Sequence, residues 1–144
     1  MIASGSSTRL RRSHIQMYAA DTSAPIQWRL LSGNNRELGR GTGEFADQES
    51  CLLGIKHLKN VVADLEISLR RNETSAWGWL LCLGGVSVAT SGYRYDRQIR
   101  CRQGATQFAA ALQDCEVGSG LMLSHARRWA AAYRGVDTQL HRPS

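Results

Sequence analysis

Residues 14–20 alternate, with Ile15, Met17 and Ala19 on one side and Gln16, Tyr18 and Ala20 on the other. That is the period of a half-buried strand. Residues 21–25 carry turn chemistry and end on Pro25, which cannot donate to a ladder. Ile26, Trp28 and Leu30 then share a face, opposite Gln27, Arg29 and Leu31. Gly33-Asn34-Asn35 signals a hairpin, and a third strand is expected over 37–42. Its glycines, Gly39, Gly41 and the following Gly43, point to a bulge or a close backbone approach. Asp47 reads as an N-cap with Glu49 in the first turn. From there Cys51, Ile55, Leu58 and Val62 recur at helical spacing. Gly54 inside this helix costs about 1 kcal/mol against Ala, so it needs a reason, most simply close helix packing.

The chain then says the same thing again. Trp28-Arg29-Leu30-Leu31-Ser32-Gly33 returns as Trp79-Leu80-Leu81-Cys82-Leu83-Gly84, and Cys51-Leu52-Leu53-Gly54 returns as Cys101-Arg102-Gln103-Gly104. Asp21-Thr22-Ser23-Ala24 returns as Glu73-Thr74-Ser75-Ala76. In the second pass Ile67 and Leu69 mark a strand, and Trp77, Trp79, Leu81 and Leu83 the face of the next. Gly84-Gly85 makes the hairpin, and Asp96 is the expected cap of a helix with the stripe Cys101, Ala105, Phe108 and Leu112. Each copy is too small to hold a strong core alone, so the two are expected to share one. Only residues 63–66 lie between the end of the first helix and the body of the next strand, so the strand at 65–70 must close the first copy and open the second.

After residue 116 the repeat ends. Gly118-Ser119-Gly120 reads as a break, and Met122, Ala126, Trp129 and Tyr133 recur at helical spacing. A terminal amphipathic helix is expected over 121–134, stopped by Gly135, with a strand at 121–123 as the competing reading. The expected organisation is a flexible basic tail (1–13), a tandem domain (14–116, copies 14–63 and 64–116), and a C-terminal helix and tail (117–144). The second copy's outward positions Gly78, Leu80 and Cys82 are less polar than Gln27, Arg29 and Leu31, so the terminal helix is expected to cover them, in cis or from a second chain.

The ordered motif (Trp-x-Leu, a Gly/Asn hairpin, a small-residue strand, the aromatics Phe45 and Tyr95, and a helix with internal Gly54 or Gly104) resembles the YegP-like family of small bacterial and archaeal proteins. The resemblance is nearest at Trp28-Arg29-Leu30 with Gly54-Ile55, and spans about residues 14–115 in tandem form. It implies β-β-β-α-β units that join into one sheet and exchange their final strands. The family brings no established activity, so no functional residue is carried over. Two departures stand out: Cys101-Arg102-Gln103 replaces the Asn that usually precedes the Gly, and the terminal helix lies outside the pattern. The fold class expected is α+β, two tandem units forming one antiparallel sheet with both helices on one face, plus the C-terminal helix.

Composition narrows the function without naming it. The chain has 144 residues, 42% of them hydrophobic, with a net charge of +6. No apolar run approaches the ~18 residues of a membrane helix, and residues 1–13 lack a secretory hydrophobic core. Four cysteines without CxxC spacing suggest reduced thiols and a cytoplasmic protein. Both copies are charge-balanced, so the excess sits in the flanks, at Arg9, Arg11 and Arg12 and at Arg127, Arg128, Arg134 and Arg142.

Metal and nucleophile chemistry find no support. His57 falls on a different helix face from Cys51. His14, His125 and His141 have no paired acid and nucleophile, and there is no Walker loop, GxGxxG or GxSxG. No catalytic residue, metal or cofactor is expected. The candidate basic surface is Arg94, Arg97 and Arg100 at the second helix with Arg127, Arg128 and Arg134 on the terminal one. Tyr18 is the one aromatic on the open sheet face, too few for a base-stacking platform. The expected function is a small non-enzymatic binding or accessory module, an intramolecular pseudo-dimer working as a monomer or weak homodimer with a protein partner. The alternative is an electrostatic nucleic-acid binder, and a thiol enzyme is remote.

Overall fold

The computed structural model describes residues 12–123, the side chain of Ser119 excepted. Three strands come first: β1 (His14–Ala19), β2 (Gln27–Leu31) and β3 (Glu37–Gly41). Helix α1 (Gln48–Val61) follows, extended by a 3-10 turn over Val62–Asp64. The pattern then recurs as β4 (Glu66–Arg71), β5 (Trp77–Leu83), β6 (Val86–Ser91), α2 (Gln98–Asp114) and a closing β7 (Glu116–Leu123). The hairpin between β5 and β6 turns on Gly84 and Gly85, whose φ values of 59° and 87° suit residues without a Cβ.

Seven strands form one sheet in the order β4-β5-β6-β3-β2-β1-β7. Its centre is the antiparallel pair β3/β6, in register at Gly39↔Ser91, Arg40↔Thr90 and Gly41↔Ala89. Each helix returns the chain to the far side of this seam. After α1 the chain enters β4, which pairs with β5; after α2 it enters β7, which pairs with β1.

The sheet is not wholly antiparallel. β7 enters beside the start of β1, Glu116 opposite His14, and must therefore run parallel to it. Residues 121–123 are the end of this strand and not the start of a helix. Gly118-Ser119-Gly120 is a bulge inside β7, between the pairs Ile15↔Val117 and Met17↔Leu121. The rest of the expected terminal helix, with Ala126, Trp129 and Tyr133, lies outside the described residues.

One core collects the inward faces of both halves with Cys51, Ile55 and Leu58 of α1 and Cys101, Ala105, Phe108 and Leu112 of α2. Trp28 and Trp79, 51 residues apart, are both buried in it as expected. The Phe108 ring reaches both, 4.8 Å from Trp79 and 6.4 Å from Trp28 between centroids. The β3 glycines make room for these rings. A Cβ on Gly39 would stand 2.7 Å from Phe108 and from Trp79, and one on Gly41 would run into the Trp28 indole.

The helix glycines have a reason other than helix–helix packing. Phe45 forms a backbone bridge with Ile26, and Tyr95 forms the same bridge with Trp77. Each aromatic ring then lies across its helix glycine: a Cβ on Gly54 would be 2.9 Å from the Phe45 ring, and one on Gly104 2.7 Å from Tyr95 Cζ.

Candidate functional site

The two helix starts differ in chemistry. At α1, Asp47 sits at the N-cap and its Oδ1 accepts a 2.7 Å hydrogen bond from Ser50 N–H. That bond, with the Glu49 contact, holds the Asp47 carboxyl below its ordinary range. At α2 the N-cap is Arg97, not Asp96, and it makes no side-chain cap bond. Asp96 is exposed one position too early, because the bridge at Tyr95 fixes where the backbone turns into the helix. The first turn of α2 holds no acidic residue, and Arg97, Arg100 and Arg102 are all exposed around it. The free N–H groups and the positive end of the helix dipole lie beside Arg97 and Arg100, with Asp96 as the one carboxylate next to them, while Arg102 points to another side of the helix.

Arg94 differs from its neighbours. It lies between Tyr93 and Tyr95, and its Nε and Nη2 are buried with no hydrogen-bond partner among the described residues. Tyr93 stacks on Tyr95 with centroids 5.0 Å apart, and Arg36 donates to the Tyr93 hydroxyl at 3.2 Å. The structure therefore gathers Arg97 and Arg100 on one exposed helix start with Arg94 half-buried in the loop before it. Arg127, Arg128 and Arg134 lie outside the described residues.

A second charged group, unforeseen from the sequence, lies on the sheet face away from the helices. Gly39 and Gly41 meet the core, so Arg40 between them projects outward. Glu37 Oε2 accepts from Arg40 Nε at 2.8 Å, and its other oxygen is 3.5 Å from Arg29 Nη1. Arg29 also donates to Gln16 Oε1 at 2.8 Å and lies over the Tyr18 ring. The signal was present in the Gly-Arg-Gly run, where two positions without side chains fix which way the third must point. Tyr18 is buried, with Arg29 over its ring, so it offers no ring to a nucleic-acid base.

The thiols fit structural roles. Burial pushes Cys51 and Cys101 up to about 11, so neither is a thiolate near neutrality. Burial also raises Cys115, against the opposing effect of Lys59, whose Nζ donates to the Cys115 carbonyl at 2.7 Å. Tyr95 is pushed up to about 12, first by burial and then by its hydrogen bond with Tyr93.

These groups hold protons in the folded state that the unfolded chain releases earlier. Their stabilisation is complete below the ordinary thiol value of 9.0 and is lost as pH rises through about 11 to 12. Denaturant midpoints are expected to hold steady up to about pH 9 and fall beyond it. In native protein near neutral pH a thiol reagent should label half-exposed Cys82 first, and Cys51 and Cys101 only on unfolding. Rapid labelling of either buried thiol would contradict this assignment.

Among the described residues no group of three or more His, Cys, Asp or Glu side chains could hold a metal ion. No described helix is long and apolar enough to cross a membrane. No family model matches the chain, and no curated protein matches it in sequence.

Two solved structures share its fold. One is the solution NMR structure of yegP from E. coli, a protein of unknown function, with a TM-score of 0.61 at 11% identity, covering 78% of this chain and 96% of that one. The other is the solution NMR structure of a UPF0339 protein from Shewanella oneidensis, with a TM-score of 0.56 at 10% identity, covering 76% of this chain and 89% of that one. The α+β architecture is thus that of YegP-like proteins, and these neighbours bring no activity with them.

Proposed function

We propose that the chain is a non-enzymatic binding or accessory module, an intramolecular pseudo-dimer whose contact surface is the arginine-lined start of α2. The pseudo-dimer reading is supported by the seam, where Arg40 pairs with Thr90, its equivalent 50 residues on, and by the matching burial of Trp28 and Trp79. The single observation behind the contact surface is the contrast of caps. The helix start with Asp47 neutralises its own dipole; the one with Arg97 leaves its N–H groups and positive charge for an outside anion. The partner class is an acidic protein segment. Nucleic acid is the alternative, and buried Tyr18 counts against any mode that stacks bases on the sheet.

The test is the double substitution Arg97→Glu and Arg100→Glu. Both side chains are exposed, and acidic residues suit the first turn of a helix, so stability should hold or rise by about 0.3–1 kcal/mol. Retention on an immobilised acidic peptide should fall, with elution at clearly lower salt than the wild type. Equal retention by both proteins would sink the proposal. Preferential retention on single-stranded DNA would shift it to the nucleic-acid reading.

A further inference from the structure

The two edges of the sheet are not equivalent. The pseudo-twofold relation across the β3/β6 seam carries β1 onto β4. Ile15 and Met17 pair with Leu30 and Trp28, just as Ile67 and Leu69 pair with Leu81 and Trp79. Beyond β1 lies β7, which sets Val117 beside Ile15 and Leu121 beside Met17. Beyond β4 the described residues supply no strand. The reason lies in the repeat: β4 closes the first unit and also opens the second, so the place that β7 fills beside β1 stays empty beside β4.

This bare edge is regular. The β4/β5 ladder runs from Glu66↔Cys82 to Arg71↔Trp77 without a shift, whereas β1/β7, β2/β3 and β5/β6 each contain one. β4 holds no Pro, no Gly and no bulge, the devices that keep an edge from pairing. Ile67 and Leu69 face the core but stay half-buried, while their equivalents Ile15 and Met17, beside β7, are 1% and 0% exposed. Glu66, Ser68 and Arg70 alternate with them and stand on the other face.

We infer that β4 pairs antiparallel with β4 of a second copy of this chain, Ser68 opposite Ser68. A twofold axis normal to the sheet keeps both cores on one side, so even-numbered residues meet even and odd meet odd. In this register Glu66 faces Arg70 at both ends, and Ile67 faces Leu69. One step toward the C-terminus sets Ile67 against Arg71 and carries Glu66 off the ladder. One step toward the N-terminus sets Arg70 against Asp64, which lies in the 3-10 turn and not in the strand.

Charge complementarity thus selects one register and a partner identical to the chain itself. Arg71 is already engaged at home, 5.6 Å over the Trp77 ring and donating to Ser75 Oγ at 3.4 Å. Glu66 and Arg70 have no ion-pair partner among the described residues. The contact repeats outside the chain what β3 and β6 do within it, an antiparallel seam between equivalent halves. It is isologous, so two chains use up this edge.

The full chain tests this. Sedimentation should show a monomer–dimer equilibrium that weakens with added salt. Glu66→Arg places like charges opposite each other and should raise the dimer dissociation constant roughly tenfold or more. Combining Glu66→Arg with Arg70→Glu restores the pairing and should restore the dimer. Both positions are exposed, so neither change should disturb the fold. In a Cys82→Ser background, Ser68→Cys should form an interchain disulfide on oxidation, since its Cα would lie about 5 Å from its counterpart. Arg71→Cys, off the axis on the same strand, should form none. A chain that stays monomeric up to millimolar concentration overturns the inference. A dimer that tolerates Glu66→Arg, or in which Ser68→Cys forms no link, uses another surface and overturns it equally.

Discussion

Phe108→Ala is expected to cost about 3–5 kcal/mol, a loss on the scale of truncating a buried tryptophan. The ring stands between Trp28 and Trp79 and fills the space that Gly39 leaves open. Fifty residues earlier the other helix offers only Leu58, so one side chain serves the middle of a core that two halves share. A domain of this size is stable by about 5–15 kcal/mol, so the variant should remain folded with little margin. Urea unfolding followed by tryptophan fluorescence should give one transition, because the lost ring touches a tryptophan from each half. Two separate transitions, or a loss under about 1.5 kcal/mol, would mean that the halves do not share this ring.

Gly104→Ala is expected to destabilise although Ala is the better helix former. The added methyl falls 2.7 Å from Tyr95 Cζ and closer still to its hydroxyl. Tyr95 cannot swing away freely, since its backbone is held by hydrogen bonds of 2.8 and 2.9 Å with Trp77 while its ring packs against Tyr93 and the core. Overpacking of this kind costs about 1–3 kcal/mol, which outweighs the ~1 kcal/mol gained in propensity. Gly54→Ala meets the Phe45 ring at 2.9 Å and should lose less. Chemical denaturation of the two variants decides by sign: a stabilised Gly104→Ala would show that the tyrosine has room to move.

The elements were legible because each strand and helix turns one apolar side to the core, and alternation or helical spacing reports that side directly. Trp28, Trp79 and the stripe from Cys101 to Leu112 followed from it. The cap at Arg97 was not legible. Asp96 has the better side chain for the role, but the bridge from Tyr95 to Trp77 sets the start of the helix one residue later. Gly54 and Gly104 announced a close contact without naming the partner, because Phe45 and Tyr95 reach the helix through loop geometry that no periodicity encodes.

Of the basic surface, Arg97 and Arg100 could be placed from their position on a helix. Arg94 could not, since the two tyrosines beside it decide its burial. The Arg29–Glu37–Arg40 group was hidden for a further reason. It joins β2 to β3 across a register shift between Leu30 and Leu31, and sequence spacing does not show such a shift.

The pairing of β7 with β1 also sets an order in time. The last described strand lies beside the first, with Arg12 and Glu116 in an ion pair across 104 positions of chain. During synthesis the first three strands and α1 emerge with the outer edge of β1 bare, and they must wait for nearly the whole chain before it is sealed. Contacts this distant in sequence slow folding, and an unsealed edge takes whichever matching strand arrives first.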